Sequence, residues 1–420
     1  MIDVKLLREN PEIVKKISEQ RKIKIDINEV FSLDKKWREL KSQNDSLRAE
    51  RNSISKQINE SKKTKKPVGD LIKKAKEIPE KLSENETQVN TIKEKLDELL
   101  LHIPNIPAKD VPVGGEAANK EIHKKGVLPK FSFPVKAHWE IGESLEIIDL
   151  ERATKLSGSG FYVLKGAGAQ LQRALVQFML DFHIKNGFTE INGPQIVLPE
   201  ILQGTSQLPK FAEDLYKTNE GLYLIPTAEV SVTNLHRNET LREKDLPKKY
   251  CSFTQCYRTE AGRHGAESRG IFRLHEFEKV EMVCISKEED SWKILEEITS
   301  YAEKLLEKLK LPYRKIVLST EDMAFPSAKT YDLEVYSPHL KKYLEVSSCS
   351  NCTDFQARRM NTRYQTSNGE LKFVHTLNGS GLALPRLMIA LIENYQQKDG
   401  SIKIPTVLQP YMNGMKKISK

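Results

Sequence analysis

Between residues 258 and 281 the chain concentrates side chains of three chemistries. Arg258 and Arg273 suit phosphate oxygens, Phe277 offers a flat apolar ring to a base, and Glu260 and Glu281 accept from amines and hydroxyls. The strand-like runs 251–260 and 271–282 flank a glycine-punctuated loop, Ala261-Gly262-Arg263-His264-Gly265-Ala266-Glu267-Ser268-Arg269-Gly270, which predicts a β-hairpin. Alternation along its second strand gathers Arg273, His275, Phe277 and Glu281 on one face. A two-sided core sheet could not bury that much charge unpaired. These are the pieces of a site for a nucleotide and an amino acid; an exposed hairpin laced with salt bridges would account for the same residues without one.

The elements that would hold these residues follow from periodicity. Short β-type runs at 221–226, 250–258, 273–283, 333–346 and 372–377 alternate with helical patterns at 169–186, 287–310 and 385–397, which predicts an α+β domain with a mainly antiparallel sheet. The N-terminal quarter is patterned differently. Val30, Leu33, Trp37, Leu40, Asn44, Leu47, Arg51, Ile54 and Ile58 step by three and four in alternation, and so do Leu71, Ala75, Ile78, Leu82, Asn85, Val89, Ile92, Leu96, Leu99 and Ile103. Between them Lys65-Lys66-Pro67-Val68-Gly69-Asp70 carries the helix-breaking proline and glycine of a turn. The expectation is an antiparallel coiled-coil hairpin, a projecting arm whose helices of about 30 residues are each about 45 Å long. Asn44 and Asn85 are placed to pair and set the register. A dimerising coiled coil is the alternative that heptads allow, and the short turn favours pairing within the chain. Pro104, Pro107, Pro112, Gly114 and Gly115 then end helical continuity, which divides the chain into an N-terminal domain, 1–105, and a second domain, 106–420.

Composition sets the outer bounds. A length of 420 residues is two to three domains' worth of chain and excludes a single small binding module. No run approaches the roughly 20 apolar residues of a membrane span, and the start, with Asp3, Lys5 and Arg8, leads into no apolar stretch of a secretory signal. A soluble, cytoplasmic protein is expected. Five cysteines, an odd number, do not make a disulfide framework, and the lone CxxC of Cys349 and Cys352 is expected to be a pair of reduced thiols, not a zinc site. The net charge of +9 is uneven: residues 48–76 hold ten basic against three acidic side chains, a local +7. Such a concentration points to a polyanion partner, although a solvated lysine-rich helix face would give the same count.

Longer segments carry a family resemblance. Tyr257-Arg258-Thr259-Glu260-Ala261-Gly262, with Phe272-Arg273-Leu274-His275-Glu276-Phe277-Glu278-Lys279-Val280-Glu281, closely resembles motif two of the class II aminoacyl-tRNA synthetases in its seryl form. Asn378-Gly379-Ser380-Gly381-Leu382-Ala383-Leu384-Pro385-Arg386, running into Glu393-Asn394-Tyr395-Gln396, is similar to motif three. Gly187-Phe188-Thr189-Glu190-Ile191-Asn192-Gly193-Pro194 resembles motif one, with the proline associated with dimerisation in that class. Thr227-Ala228-Glu229 and Glu345-Val346-Ser347-Ser348-Cys349-Ser350-Asn351-Cys352, followed by Asp354-Phe355-Gln356-Ala357-Arg358-Arg359, match segments characteristic of seryl-tRNA synthetases, as does the arm. The resemblance covers essentially the whole chain.

It implies a homodimeric ligase that activates L-serine with ATP to seryl-adenylate and passes the seryl group to the 3' end of tRNA(Ser), leaving open whether tRNA(Sec) is also charged. By the same resemblance Arg258, Glu345 and Arg386 are catalytic. Thr227, Ala228, Glu229, Arg258, Glu281 and Ser380 bind serine. Arg258, Thr259, Glu260, Arg273, Phe277, Glu345, Val346, Ser347, Ser348 and Arg386 bind ATP, Glu260 at the adenine amino group, Phe277 on its ring, Arg273 and Arg386 at the outer phosphates. Glu345 and Ser348 would hold Mg²⁺. Arg48, Arg51, Lys56, Lys62, Lys63, Lys65 and Lys66 would meet the tRNA through shape and backbone contacts. A substrate carboxylate is already ionised, so activation needs positioning and charge stabilisation and no general base. The chain departs from the family pattern at Leu384-Pro385, where Val-Gly is usual, at Ser268, where threonine is commoner, and at Ser206, where glycine is usual; Arg386 is expected to keep its place because proline is tolerated in a helix's first turn. Two other readings compete. A paralogue with RNA contacts but no catalysis is opposed by the intact Arg258, Glu260, Arg273, Glu281, Glu345 and Arg386, and a truncated relative that loads a carrier protein is opposed by the arm.

Overall fold

Apolar heptads become two long helices in the computed structural model, which describes residues 1–261 and 269–420; the expectations attached to Gly262 and Ser268 fall on 262–268, outside the described residues. Packing separates Ile2–Pro104 from Asn105–Lys420. In the first unit two short helices, α1 (Val4–Glu9) and α2 (Pro11–Gln20), precede α3 (Ile27–Lys63) and α4 (Gly69–Leu101). Asp26 caps α3, its carboxylate accepting from the Asn28 and Glu29 amides at 3.0 and 3.2 Å. The two helices are of 37 and 33 residues, longer than the heptads suggested, so α3 spans about 55 Å. Val30, Leu40 and Ile54 face Ile78, Leu82, Leu96 and Leu100 along the buried seam. Ion pairs Glu29–Lys95 (2.7 Å) and Arg48–Glu86 (2.9 Å) cross between the helices in antiparallel order. The hairpin is therefore intramolecular.

Two details differ from expectation, and a third is notable. Arg51, assigned to the seam, is exposed, because its guanidinium stays in water where the next turn offers no carboxylate. Asn44 is buried with its Oδ1 unpartnered, so the expected bond to Asn85 through that atom is not made. Pro79 lies inside α4, where the flanking seam residues Ile78 and Leu82 outweigh the lost backbone bond. Asp34, also on the buried side, takes Arg8 at 2.8 and 2.9 Å and Arg38 at 3.0 Å; burial would raise its carboxyl, but the two guanidiniums hold it below its usual range.

The second unit is built on an eight-stranded sheet. Its strands, in chain order, are β1 (Lys120–Lys125), β2 (Thr189–Glu190), β3 (Lys248–Tyr257), β4 (Glu276–Ser286), β5 (Tyr313–Val317), β6 (Lys329–Ser337), β7 (Lys342–Asn351) and β8 (His375–Ala383). They lie in the order β1-β5-β6-β7-β8-β4-β3-β2, antiparallel except for β2 against β3. Helices used below are α5 (Ala167–Lys185), α6 (Ala228–Thr233), α7 (Glu288–Lys308), α8 (Phe355–Met360) and α9 (Leu384–Asn394). One face of the sheet is apolar: Met282 and Cys284 of β4, Leu333 and Val335 of β6 and Val346 of β7 share a core with Ile294, Leu295, Ile298 and Leu305 of α7 and Leu387 and Leu391 of α9. Each of these aliphatic and methionine side chains, fully buried, contributes about 1.5 to 3 kcal/mol. The run expected at 333–346 is two strands of a hairpin, broken after Ser337 by Pro338 and by Lys341 in the left-handed region at φ 54. The run at 273–283 begins as a strand only at Glu276, and the strand at 221–226 is reduced to Tyr223–Leu224. Of the described residues, no helix is long and apolar enough to cross a membrane.

Candidate active site

The opposite face of the sheet is polar, and strand alternation sets out its rows. β3 presents Ser252, Thr254 and Cys256, and β4 presents Glu281, Lys279 and Phe277 directly across from them. Ser380 of β8 stands opposite Glu281, and Asn378 opposite Val283. On β7, Glu345 and Ser348 are three residues apart, a spacing that in a regular strand would put them on opposite faces. A register shift against β6, with Val346 the extra residue, brings both to the polar face opposite Glu334 and Asp332.

Side chains from outside the sheet close the site. Thr227 caps α6, its hydroxyl accepting from the Glu229 amide at 3.3 Å, and so aims Glu229 from the first turn. Glu229 accepts from Gln356 of α8 at 2.7 Å, and Gln356 in turn accepts from Thr376 at 2.6 Å. Burial, and then the nearby Glu281, push the Glu229 carboxyl up to about 7. Glu281 takes Lys279 Nζ at 2.5 Å and Asn378 Nδ2 at 3.4 Å. Arg258 lies with its guanidinium 5.0 Å from the Phe277 ring centre and its Nε donating to the Pro226 carbonyl at 3.3 Å. Arg386, in the first turn of α9, donates to Glu345 Oε2 at 3.0 Å and packs over Phe272, so Pro385 leaves it at the site. Burial would raise Glu345, but Arg386, backed by Arg258 and Lys279, holds it below its ordinary value, whereas burial and Glu345 together raise Asp332 well above its own.

Close packing explains the Gly-Ser-Gly of β8. A Cβ on Gly379 would stand 2.8 Å from Cys349 Sγ, and one on Gly381 2.4 Å from His183 Nε2. Cys349 and Cys352 are buried free thiols, Cys349 pushed up by burial to about 12. Ser206 sits at φ 74, a conformation that glycine adopts without strain, in the loop whose Thr205 carbonyl accepts from Gln356 at 3.4 Å.

Not all the expected residues meet as drawn. Phe277 and Glu281 share a strand face, but Arg273 and His275 precede the strand. Arg273 instead pairs with Glu260 at 3.2 Å, and the His275 carbonyl accepts the Arg258 amide at 2.9 Å. Thr259 ties its hydroxyl to the Glu213 carbonyl at 2.6 Å. Ala228 and Val346 turn their side chains into the core, and Ser347 donates to the Ser380 carbonyl at 2.5 Å. The α6 and α9 N-termini show that Thr227 caps a helix and Ser380 does not. In the other unit, Lys56, Lys62, Lys63, Lys65 and Lys66 are exposed at and near the hairpin turn, and Arg48, exposed as well, makes a surface ion pair with Glu86. Lys279 and Gln356 were not among the expected site residues, although alternation would include the first and the segment 354–359 contains the second; Asp332 comes from a neighbouring strand and leaves no local signal.

Comparison with known proteins bears on the whole chain. Residues 1–107 match the seryl-tRNA synthetase N-terminal domain, and residues 211–395 match the tRNA synthetase class II core domain (G, H, P, S and T). A serine-tRNA ligase of Fervidobacterium nodosum is 48% identical over 417 residues, 98% of each chain. One of Pseudothermotoga lettingae is 49% identical over 418 residues, 98% of this chain and 99% of the other. The crystal structure of seryl-tRNA synthetase from Pyrococcus horikoshii complexed with ATP superposes with a TM-score of 0.94 at 38% identity, covering 100% of this chain and 99% of that one. The cytoplasmic serine-tRNA ligase of Naegleria fowleri in complex with AMP gives 0.90 at 31% identity, with the same coverage.

Proposed function

The chain belongs to the seryl-tRNA synthetase family and is an aminoacyl-tRNA ligase of class II, and from that premise we propose how its polar sheet face makes seryl-adenylate and seryl-tRNA. The observation that carries the reading is the convergence of Glu229, Arg258, Phe277, Glu281, Glu345, Ser380 and Arg386 on one face of a single sheet. ATP is the second substrate, in keeping with the nucleotides held by the two related structures. Phe277 stacks on the adenine, Glu260 accepts from its amino group, and Thr259 and the backbone at Val346 and Ser347 line the nucleotide. Arg258 neutralises the α-phosphate as the serine carboxylate attacks it, and Arg273 and Arg386 hold the outer phosphates. No proton has to be removed from the nucleophile, so the rate is set by alignment and by fixed positive charge.

Thr227, Glu229, Glu281 and Ser380 surround the amino acid, with Ala228 closing the pocket through its backbone. A pocket that pairs with a hydroxyl disfavours the analogue lacking it by about 10⁴ to 10⁵, since its own polar groups are left unpaired. Glu345 and Ser348, both oxygen donors brought to one face by the register shift, suit a Mg²⁺ carried mostly by phosphates. When bound, that ion would screen the phosphate charges and leave the chain's own residues to orient the reactants.

The exposed lysines of the hairpin, with Arg48 and Arg51, hold tRNA(Ser) through its backbone, and tRNA(Sec) is charged if it presents the same shape. The division at 105 separates this RNA-binding domain from the catalytic one. The chain acts as a homodimer: β2 lies at the edge of the sheet, and beyond it Ile196 and Leu198 are 52% and 50% exposed. We assign it to the cytoplasm, in keeping with five cysteines that are all free thiols. Serine-dependent ATP-pyrophosphate exchange with Mg²⁺, run also with alanine, threonine and cysteine, tests the reading. Exchange with serine alone is expected; exchange with none of them would shift the assignment to an RNA-binding paralogue.

A further inference from the structure

Lys279 stands between Phe277 and Glu281 on the polar row of β4, and no step above uses it. Its side chain is 9% exposed and that of Glu281 0%, with Nζ 2.5 Å from Glu281 Oε2. Across the sheet it faces Thr254 on one side and Ala383 on the other, neither of them charged. Taking an ammonium out of water costs several kcal/mol unless a counter-charge and hydrogen bonds compensate it. The pair is therefore a costly feature on the polar face of the sheet, with Ser380 directly opposite Glu281.

We propose that Lys279 is a specificity-determining positioning residue of the serine site, which neutralises and orients the Glu281 carboxylate beside Ser380 so that an amino acid bearing a hydroxyl is preferred. The inference rests on the reading that Glu281 lines that pocket. Two acids, Glu229 and Glu281, serve the same small space, and like charges so close disfavour each other. Lys279 is the cation that makes their coexistence tolerable. A glutamate also has three rotatable bonds; the Lys279 ammonium in ionic contact with Oε2, which makes no hydrogen bond, and Asn378 donating to Oε1 at 3.4 Å together narrow its orientations. A carboxylate fixed in this way discriminates a hydroxyl from a methyl group, whereas a mobile one adapts to either. Lys279 does not itself touch the substrate.

The test compares Lys279→Met, Glu281→Gln and the double variant in pyrophosphate exchange, with serine and alanine as amino acids and ATP varied in parallel. Lys279→Met is expected to raise the KM for serine and to lower the serine-to-alanine ratio of kcat/KM by about tenfold or more, with the KM for ATP within about twofold of the parent. The double variant is expected to discriminate no worse than Glu281→Gln alone, because the lysine acts through that carboxylate. A parental serine-to-alanine ratio in Lys279→Met, or equal rises in KM for serine and ATP, would overturn the proposal. If Lys279→Met does not fold, the double variant, which removes both members of the pair, is the decisive protein; its failure to fold as well would make the pair purely structural and also overturn the inference. Glu281→Gln separates the two levels: parental serine kinetics there would remove the pocket assignment itself, while a defect there with none in Lys279→Met would remove only the role of Lys279.

Discussion

Arg258 leaves β3 with its guanidinium over Phe277 and its Nε on the Pro226 carbonyl, so its charge is aimed before any substrate arrives. Arg258→Ala is expected to depress serine-dependent exchange by at least about 10²-fold, the scale of losing one preorganised charge contact; near-parental exchange would strip Arg258 of its role. Glu229 makes a different prediction. Its carboxyl is raised to about 7, so as pH climbs from its ordinary range towards 7 the unfolded chain ionises first and the folded state is penalised increasingly. The penalty is complete above about 7 and amounts to at most about 3 kcal/mol. Urea unfolding of the parent and of Glu229→Gln at pH 5, 6 and 7.5 checks this: the variant should gain on the parent as pH rises, and parallel curves would refute it. Both residues were legible in the sequence through their motifs. That the Glu229 carboxyl is raised was not, because it depends on how deeply packing buries it and on Glu281 reaching it from a strand far along the chain.

Among the elements, the hairpin was the most legible, since a seam of apolar residues at steps of three and four is a local signal. Its two prolines behave as that signal requires. Pro67 breaks the helix at a turn whereas Pro79 is carried inside α4, because only at 79 do flanking seam residues repay the lost bond. The strands at the site were legible by alternation, except where register shifts. Glu345 and Ser348 reach one face through the extra residue Val346, a feature that alternation cannot foresee. Deleting residues 44–85 is expected to leave pyrophosphate exchange largely intact and to abolish tRNA charging. Loss of both would show that the arm and the site are not separable. In the intact protein, tRNA binding should weaken steeply with salt, as counterion release by the hairpin's lysines requires, and a flat titration would contradict the assignment.

At the scale of the whole molecule, the homodimer proposed above would cover Ile196 and Leu198, which are exposed in the single chain. Ile196→Glu is expected to shift the sedimentation of the protein from dimer towards monomer at micromolar concentration; an unchanged dimer would place the interface elsewhere. The sequence by itself determined the α+β class, the coiled-coil hairpin and the family, since these rest on periodicity and on short contiguous motifs whose signal does not depend on distant partners. Only the tertiary structure decided which side chains share the polar face, that Arg273 and Glu260 pair with each other, that Arg386 stays at Glu345 despite Pro385, and that Lys279 stands beside Glu281. Those outcomes turn on distances of a few ångströms between strands and helices far apart in the chain, and on how deeply packing buries each charge, neither of which a linear pattern encodes.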